Sequence, residues 1–214
     1  MTIEITSPKV LVVEGKDEGL FFEALIGHLG LQAVQVLPIG GKTQLRRNLA
    51  ALKLAPGFHR VVCLGVVRDA NADPDGAFQS VCDALRTVDL PVPKRPMVLA
   101  GSAPQVSVMI LPGEGNPGML EDLCVSAVAS DPAMLCVNGY FRCLEQQGVS
   151  LPRNIAKARV QAFLSSREEP GKRLGEAAQA GYWPWEERSF DQTRSFLQEM
   201  CWATPKAGAN SSSF

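Results

Sequence analysis

The chain has 214 residues, 46% of them apolar, and its 21 lysines and arginines against 22 aspartates and glutamates give a net charge of −1 at neutral pH. This length fits one domain with a small appendage, and the apolar content is sufficient for a sizeable core. The balanced charge argues against a nucleic-acid coat protein, which carries a strong basic excess. It does not argue against an enzyme that contacts a few phosphates through metal ions.

The cysteines and the N-terminal residues exclude several other classes of protein. No two of the six cysteines form a C-x-x-C pair, and with two histidines in the chain the pattern does not predict a zinc site. The start of the chain lacks the basic, apolar and small-residue order of a signal peptide, and no apolar run is long enough to span a membrane. We therefore expect a cytoplasmic protein with reduced thiols and no membrane partner.

Strands and helices alternate in the first half of the chain. Short apolar runs predict strands, of which the first is followed by Glu14 and the third, the strongest strand signal, leads directly to Asp69. Thr43 is predicted to cap a helix. The predicted strands are Lys9–Val13, Gln32–Ile39 (near an edge of the sheet), Arg60–Val67, Met97–Ala100 and Val106–Leu111, and the predicted helices are Asp17–Leu29, Thr43–Leu54 and Gly76–Val88. This alternation predicts a Rossmann-like α/β fold with a mostly parallel sheet flanked by helices.

From Pro117 onward the pattern becomes helical. The aromatic, proline-interrupted segment Gly181–Arg188 is predicted as a loop whose aromatic rings either pack on the helices or stack on bases. The predicted helices are Met119–Ala129, Pro132–Gln147, Ile155–Ser165 and Gln192–Cys201. We expect an α/β domain at residues 1–125, a helical extension packed on it at residues 126–204, and a disordered tail at residues 205–214.

Acidic residues follow two strands that are predicted to be central. Glu14 follows the first strand, and Asp69 follows the third, with Asn71 and Asp73 shortly after it. In an open parallel sheet, ligands bind at the carboxyl ends of the strands, so these side chains are expected to converge at one edge. Converging carboxylates repel each other, and a hard cation with oxygen ligands relieves that repulsion. The pattern therefore predicts a Mg²⁺ or Mn²⁺ site suited to phosphoryl transfer.

These two motifs resemble those of a known domain. The segment Val12–Glu18 is similar to the glutamate motif of Toprim domains, and Val66–Asp73 is similar to their D-x-D motif, with an asparagine in place of the second aspartate. Three further segments extend the resemblance over the whole chain to the DUF3226 family of stand-alone Toprim-like proteins: Leu111–Gly113, Pro117–Asp122 and Gly181–Trp185. The separation of the two motifs is similar to that in the overcoming-lysogenization-defect (OLD) nucleases.

The resemblance implies a role for each matching residue. Glu14 would be a metal ligand or general acid/base, and Asp69 the main metal ligand. Asp73 would supply the carboxylate that the asparagine of the motif lacks. Glu18 matches the second acidic residue of the OLD-like pattern, or faces solvent on its helix. Lys157 resembles the late lysine of that pattern, which would stabilise developing phosphate charge, or is a solvated charge on its helix.

Other residues have two interpretations. Asn71 could offer an amide oxygen to the cation, or mark a degenerate site. Glu121 and Asp122 are candidates for a late acidic position, or charges that stabilise a first helical turn. The turn formed by Gly40, Gly41 and Lys42 could present backbone N–H groups to a phosphate, or only begin a helix.

We expect a Mg²⁺- or Mn²⁺-dependent phosphotransfer enzyme acting on DNA or RNA, and most specifically a nuclease of the OLD-like Toprim kind. Two alternatives stay open. One is a non-catalytic Toprim-like protein that binds a protein or nucleotide. The other is a phosphohydrolase of small nucleotides, which the lack of a basic excess favours.

Overall fold

The computed structural model describes residues 4–41 and 44–202, which form an α/β structure. Its strands are β1 (Lys9–Val13), β2 (Val34–Pro38), β3 (Cys63–Asp69) and β4 (Gln105–Leu111). Its helices are α1 (Lys16–His28), α2 (Leu45–Lys53), α3 (Pro74–Thr87), α4 (Leu120–Ala127), α5 (Pro132–Gln146), α6 (Ile155–Leu164), α7 (Leu174–Gln179) and α8 (Asp191–Trp202). The strands are all parallel, in the order β2-β1-β3-β4. The fold is the predicted α/β fold, with a parallel sheet flanked by helices and a helical C-terminal half.

Alternate residues of the strands point into two separate cores. Leu11 and Val13 of β1 face a core that also contains Phe21 and Phe22 of α1 and residues of α4 to α8, whereas Val12 faces a core formed with α2 and α3. Helices therefore cover both faces of the sheet, as expected for strands that are nearly continuous apolar runs. Because α1 and α3 leave β1 and β3 toward opposite faces, the sheet has its topological switch point between these two strands.

Three predicted strands differ clearly from the observed ones. The strand predicted at Gln32–Ile39 is shorter, at Val34–Pro38. The strand predicted at Arg60–Val67 begins at Cys63 instead, because Phe58–Arg60 forms a 3-10 turn. The segment Met97–Ala100 is not a regular strand: Met97 has a left-handed φ of 67°, and Ala100 makes an isolated antiparallel bridge to β4. After Ala100 a tight turn leads into β4, so that this segment runs antiparallel beside β4. It does not form a continuous series of strand hydrogen bonds with β4.

The predicted C-terminal helices are present as α4, α5, α6 and α8, each within two residues of its predicted ends. The short helix α7 was not predicted. The helix predicted at Thr43–Leu54 begins at Leu45 with Gln44 at its N-cap, and Thr43 lies outside the described residues, as does the predicted tail at residues 205–214. None of the helices within the described ranges is long and apolar enough to cross a lipid bilayer.

The helical half of the chain packs on the sheet through its aromatic residues. Trp183 is buried and donates its indole N–H to the carbonyl of Leu174, 3.1 Å away. The ring of Trp185, also buried, lies edge-on to Phe21 of α1 at a centroid distance of 5.1 Å. These rings therefore form part of a core continuous with the sheet. The boundary predicted between residues 125 and 126 falls inside α4.

Candidate functional site

Glu14 lies at the carboxyl end of β1, at the switch point of the sheet. Its carbonyl accepts the N–H of Gly40, 2.9 Å away, which ties it to the end of β2. Its side chain is 27% exposed, and Oε1 lies 3.4 Å from Nε of Arg68, the penultimate residue of β3. Burial raises the pKa of Glu14, and the charge of Arg68 partly opposes this rise. Arg68 was not predicted as a site residue, although a charged residue in an apolar strand was a usable signal.

Glu18 lies in the first turn of α1 and folds back toward the end of β1. A Cβ built on Gly15 would lie 2.4 Å from Oε2 of Glu18, so the carboxylate occupies the space above this glycine. Burial, with the neighbouring negative charges of Glu14 and Asp17, raises the pKa of Glu18. The structure thus places Glu18 beside Glu14 rather than in bulk solvent.

Asp69 is the last residue of β3 and has the most perturbed carboxyl of the site. Burial, followed by the charges of Glu18, Glu14 and Glu121, raises its pKa to about 8. One carboxylate oxygen accepts the N–H of Leu120, 3.1 Å away, at the start of α4. Acidic residues from the end of β1 and from two helices, α1 and α4, therefore act on this side chain.

Glu121 and Lys157 come to the site from the helical half. Burial raises the pKa of Glu121, with Lys157 opposing the rise and Glu18 adding to it. Asn154 caps α6 and also contacts Met119 beside the start of α4, which brings Lys157 close to Glu121. Asp122, the alternative late acidic residue, instead accepts the N–H of Met119, 2.9 Å away.

The second half of the predicted D-x-D motif forms a turn. Asn71 is exposed and has a left-handed φ of 53°, and its backbone exchanges two hydrogen bonds with Gly118. Asp73 is exposed and caps α3, where Oδ1 accepts the N–H of Gly76, 2.9 Å away. The structure therefore shows Asp73 as the N-cap of α3, and its role as a metal ligand stays a prediction.

The predicted phosphate-binding turn lies next to Glu14. Gly40 has a left-handed φ of 90°, and a Cβ built on Gly41 would lie 3.6 Å from Oε2 of Glu14. Lys42, the third predicted residue of this turn, is outside the described residues. The turn therefore brings glycine backbone, without intervening side chains, to the acidic site.

The chemistry of these donors fits a hard divalent cation. Among the described residues, no three acidic, histidine or cysteine side chains are close enough to form a coordination shell as they stand. The carboxylates nevertheless interact through their charges, because three of them raise the pKa of Asp69. A cation with a preference for oxygen ligands would relieve this repulsion. Glu14, Glu18, Asp69 and Glu121 are the residues that could hold it.

Similarities to known proteins extend over most of the chain. A family model with the description "Protein of unknown function (DUF3226)" matches residues 8–201. A hypothetical protein from Pyrococcus horikoshii OT3 is 18% identical, with a TM-score of 0.59 over 91% of this chain and 95% of that one. The C-terminal region of the OLD protein of Xanthomonas campestris pv. campestris is also 18% identical, with a TM-score of 0.46 over 91% of this chain and 92% of that region. No curated protein matches the sequence.

Proposed function

The chain belongs to the DUF3226 family, and from its acidic site we propose that it is a Mg²⁺- or Mn²⁺-dependent enzyme that cleaves phosphodiester bonds of nucleic acid. The observation that carries this proposal is the convergence of Glu14, Glu18, Asp69 and Glu121 at the switch point of the sheet, where open α/β folds bind their ligands. A cluster of partly buried carboxylates with raised pKa values is costly to the fold, and such groups are concentrated at functional sites.

The proposed roles follow from the position of each residue. Asp69 is the main ligand because it ends a central strand and is oriented by the N–H of Leu120. Glu14 is the second ligand, and the carboxylates of Glu18 and Glu121 complete the set. A divalent ion bound there would neutralise charge on the phosphoryl group and lower the pKa of a water molecule. Lys157, beside Glu121, would stabilise the negative charge that develops on the phosphate oxygens.

The positions of nearby cations support nucleic acid as the substrate. Lys16 begins α1, Arg46 and Arg47 lie in the first turn of α2, and Lys157 lies in the first turn of α6; all four are exposed. Helices α1 and α2 each begin at the carboxyl edge of the sheet, and the charge of Lys157 acts on Glu121. Exposed cations at this edge suit the phosphates that flank a cleaved bond.

Cleavage of labelled substrates tests this proposal. The protein is incubated with Mn²⁺ or Mg²⁺ and with single-stranded DNA, duplex DNA, RNA or free nucleotides. We expect cleavage of a polynucleotide that EDTA abolishes. We expect Lys157→Ala to slow cleavage about 100-fold, as for loss of a group that stabilises transition-state charge, with no loss of Mn²⁺ affinity. Lys9→Ala, at the opposite edge of the sheet, is the matched control and should cleave normally.

Other outcomes would redirect the assignment. Hydrolysis of free nucleotides without cleavage of any polynucleotide would contradict the proposal and indicate a nucleotide phosphohydrolase. Absence of Mn²⁺ binding by the wild-type protein would exclude the metal-dependent mechanism and leave a binding role, with Asn71 marking a site that has lost its charge.

Replacing Gly15 by alanine should weaken Mn²⁺ binding about five- to tenfold with little loss of stability. The new Cβ would overlap Oε2 of Glu18, and this flexible side chain can swing away from the site without unfolding α1. Alanine is also a poorer N-cap than glycine, which costs up to about 1 kcal/mol. Calorimetric titration with Mn²⁺ and thermal unfolding measure the two effects. Gly41→Ala is the control, because its Cβ makes ordinary contact with Glu14; equal affinities of both variants and the wild type would exclude Glu18 as a ligand.

A further inference from the structure

Arg68 is a charged residue in the interior of the protein. Its exposed fraction is 4%, among strand neighbours that are buried apolar residues. A guanidinium stays protonated in proteins, and a buried charge without a partner costs several kcal/mol. An apolar residue would be the stable choice at this position of β3. The presence of arginine therefore needs a specific partner to explain it.

The contacts of Arg68 join Glu14 to the body of the protein. Its Nε lies 3.4 Å from Oε1 of Glu14, and its Nη1 donates to Oγ of Ser80 in α3 at 3.4 Å. Nε makes no hydrogen bond, although it is fully shielded from solvent. The guanidinium is thus anchored on one side by α3 and faces the Glu14 carboxylate on the other, with donor capacity to spare.

The register of the sheet explains why these two residues meet. Val12 of β1 pairs with Val66 of β3, so Glu14 and Arg68 each lie two residues further along adjacent parallel strands. Residues two apart point to the same face of a sheet. Both side chains are therefore directed toward the α2–α3 side, whereas Asp69 starts from the opposite face. Glu14 must reach over the edge of the sheet to act with Asp69.

Two further observations give Arg68 a role in orientation rather than in binding a phosphate. The cavity that it lines with Glu14, Gly40 and Gly41 has room for about one water molecule, which is too little for a phosphate group. The pKa of Glu14 also reflects this contact, because the positive charge of Arg68 opposes the rise that burial causes. Attraction to the buried guanidinium therefore holds the carboxylate against rotation into solvent.

We propose that Arg68 is a positioning residue, which holds the carboxylate of Glu14 at the edge of the sheet so that the cation meets this ligand in a fixed orientation. This inference rests on the proposed function, because the orientation of Glu14 matters for a metal bound between β1 and β3. Ser80 supports it by fixing the far side of the guanidinium.

A double-mutant cycle tests the proposal. Mn²⁺ affinity is measured by calorimetry for the wild type, Arg68→Lys, Glu14→Gln and the double variant. Lysine keeps the positive charge but lacks the planar fork of donors. We expect Arg68→Lys to weaken Mn²⁺ binding about tenfold in the wild-type background and less than twofold when Glu14 is already glutamine. Ser80→Ala, a milder change that keeps Arg68, should weaken binding about threefold in the presence of Glu14 only.

A purely structural role would give a different result. If Arg68→Lys weakened binding equally in both backgrounds, its effect would not pass through Glu14 and the proposal would be wrong. No weakening in the wild-type background would also overturn it. If the wild type bound no Mn²⁺, the proposed function would fail by itself. The free energy of unfolding of the same four proteins without metal would then test the contact between Arg68 and Glu14. Additive effects of the two substitutions would exclude an interaction between these residues, and non-additive effects would support one.

Discussion

Replacing Asp69 by asparagine is expected to remove saturable Mn²⁺ binding while making the metal-free protein more stable at alkaline pH. The carboxamide keeps the shape of the side chain and can still accept the N–H of Leu120, but it brings no charge to a cation. Loss of an outer-shell partner alone costs about 10–100-fold in metal affinity, so loss of the main ligand should cost at least about 100-fold. Calorimetric titration of both proteins with Mn²⁺ measures this effect.

The gain in stability follows from the raised pKa of Asp69. Burial and the neighbouring carboxylates raise it from 3.8 to about 8, so the folded protein binds this proton more tightly than the unfolded chain does. The resulting stabilisation is fully present below a pH of about 4 and is lost as the pH rises through about 8. Asparagine stays neutral throughout. We expect the variant to exceed the wild type by several kcal/mol at alkaline pH, up to about 5–6 kcal/mol if the whole shift is realised, and by little in acid.

The affinity of the wild type for Mn²⁺ should rise over the same range, since Asp69 must lose its proton to bind a cation. Asp73→Asn is the matched control. Asparagine caps a helix as well as aspartate does, so both Mn²⁺ affinity and unfolding free energy should stay at the wild-type values. If Asp73→Asn lost Mn²⁺ binding as fully as Asp69→Asn, the capping role assigned to Asp73 would be incomplete.

Replacing Gly175 by valine is expected to cost about 3 kcal/mol or more of unfolding free energy. Gly175 lies in the first turn of α7, pressed against α1. A Cβ there would lie 2.5 Å from the carbonyl oxygen of Asp17 and 2.8 Å from the Cβ of Leu20. Neither atom can swing aside, because both are on or next to the backbone of α1. The two helices must separate, and urea unfolding at constant pH measures the loss.

Gly139→Ala is the control for this prediction. Gly139 lies in the middle of α5, and a Cβ there would meet no atom within 4 Å. Alanine should therefore raise the unfolding free energy by about 0.5–1 kcal/mol through helix propensity alone. Similar losses in both variants would show that contact with α1 does not explain the need for glycine at position 175. A loss of unfolding free energy in Gly175→Val together with a gain in Gly139→Ala would establish the close approach of α7 to α1.

Local patterns were sufficient to predict most of the elements. The strand Lys9–Val13 has the same bounds in prediction and structure, and the first helix differs by one residue at each end. Apolar periodicity determines both, because strands buried on two faces and amphipathic helices have distinct spacing. The segment Met97–Ala100 was predicted wrongly, since its apolar run did not show that Met97 takes a left-handed backbone.

Some site residues could likewise be predicted from local sequence, and others could not. Glu14 and Asp69 could be found because each directly follows a strand, and parallel strands bring their ends to one edge. Glu121 is more than fifty residues from Asp69 along the chain, and its approach depends on how α4 begins against the end of β3. Asp73 matched the motif, but the sequence does not determine the direction of its side chain, which in the structure accepts the N–H of Gly76.

The sequence by itself determined a parallel α/β sheet with acidic residues at two strand ends, because strand periodicity and the residues that end a strand are local properties. Only the tertiary structure decided that Glu121 lies near Asp69 and Lys157 near Glu121, that Asp73 caps a helix, and that a buried arginine faces Glu14. These outcomes depend on the packing of helices across the sheet and on the register between β1 and β3. Contacts of that kind come from residues far apart in the chain, and the free energy that selects them is the burial of the shared core.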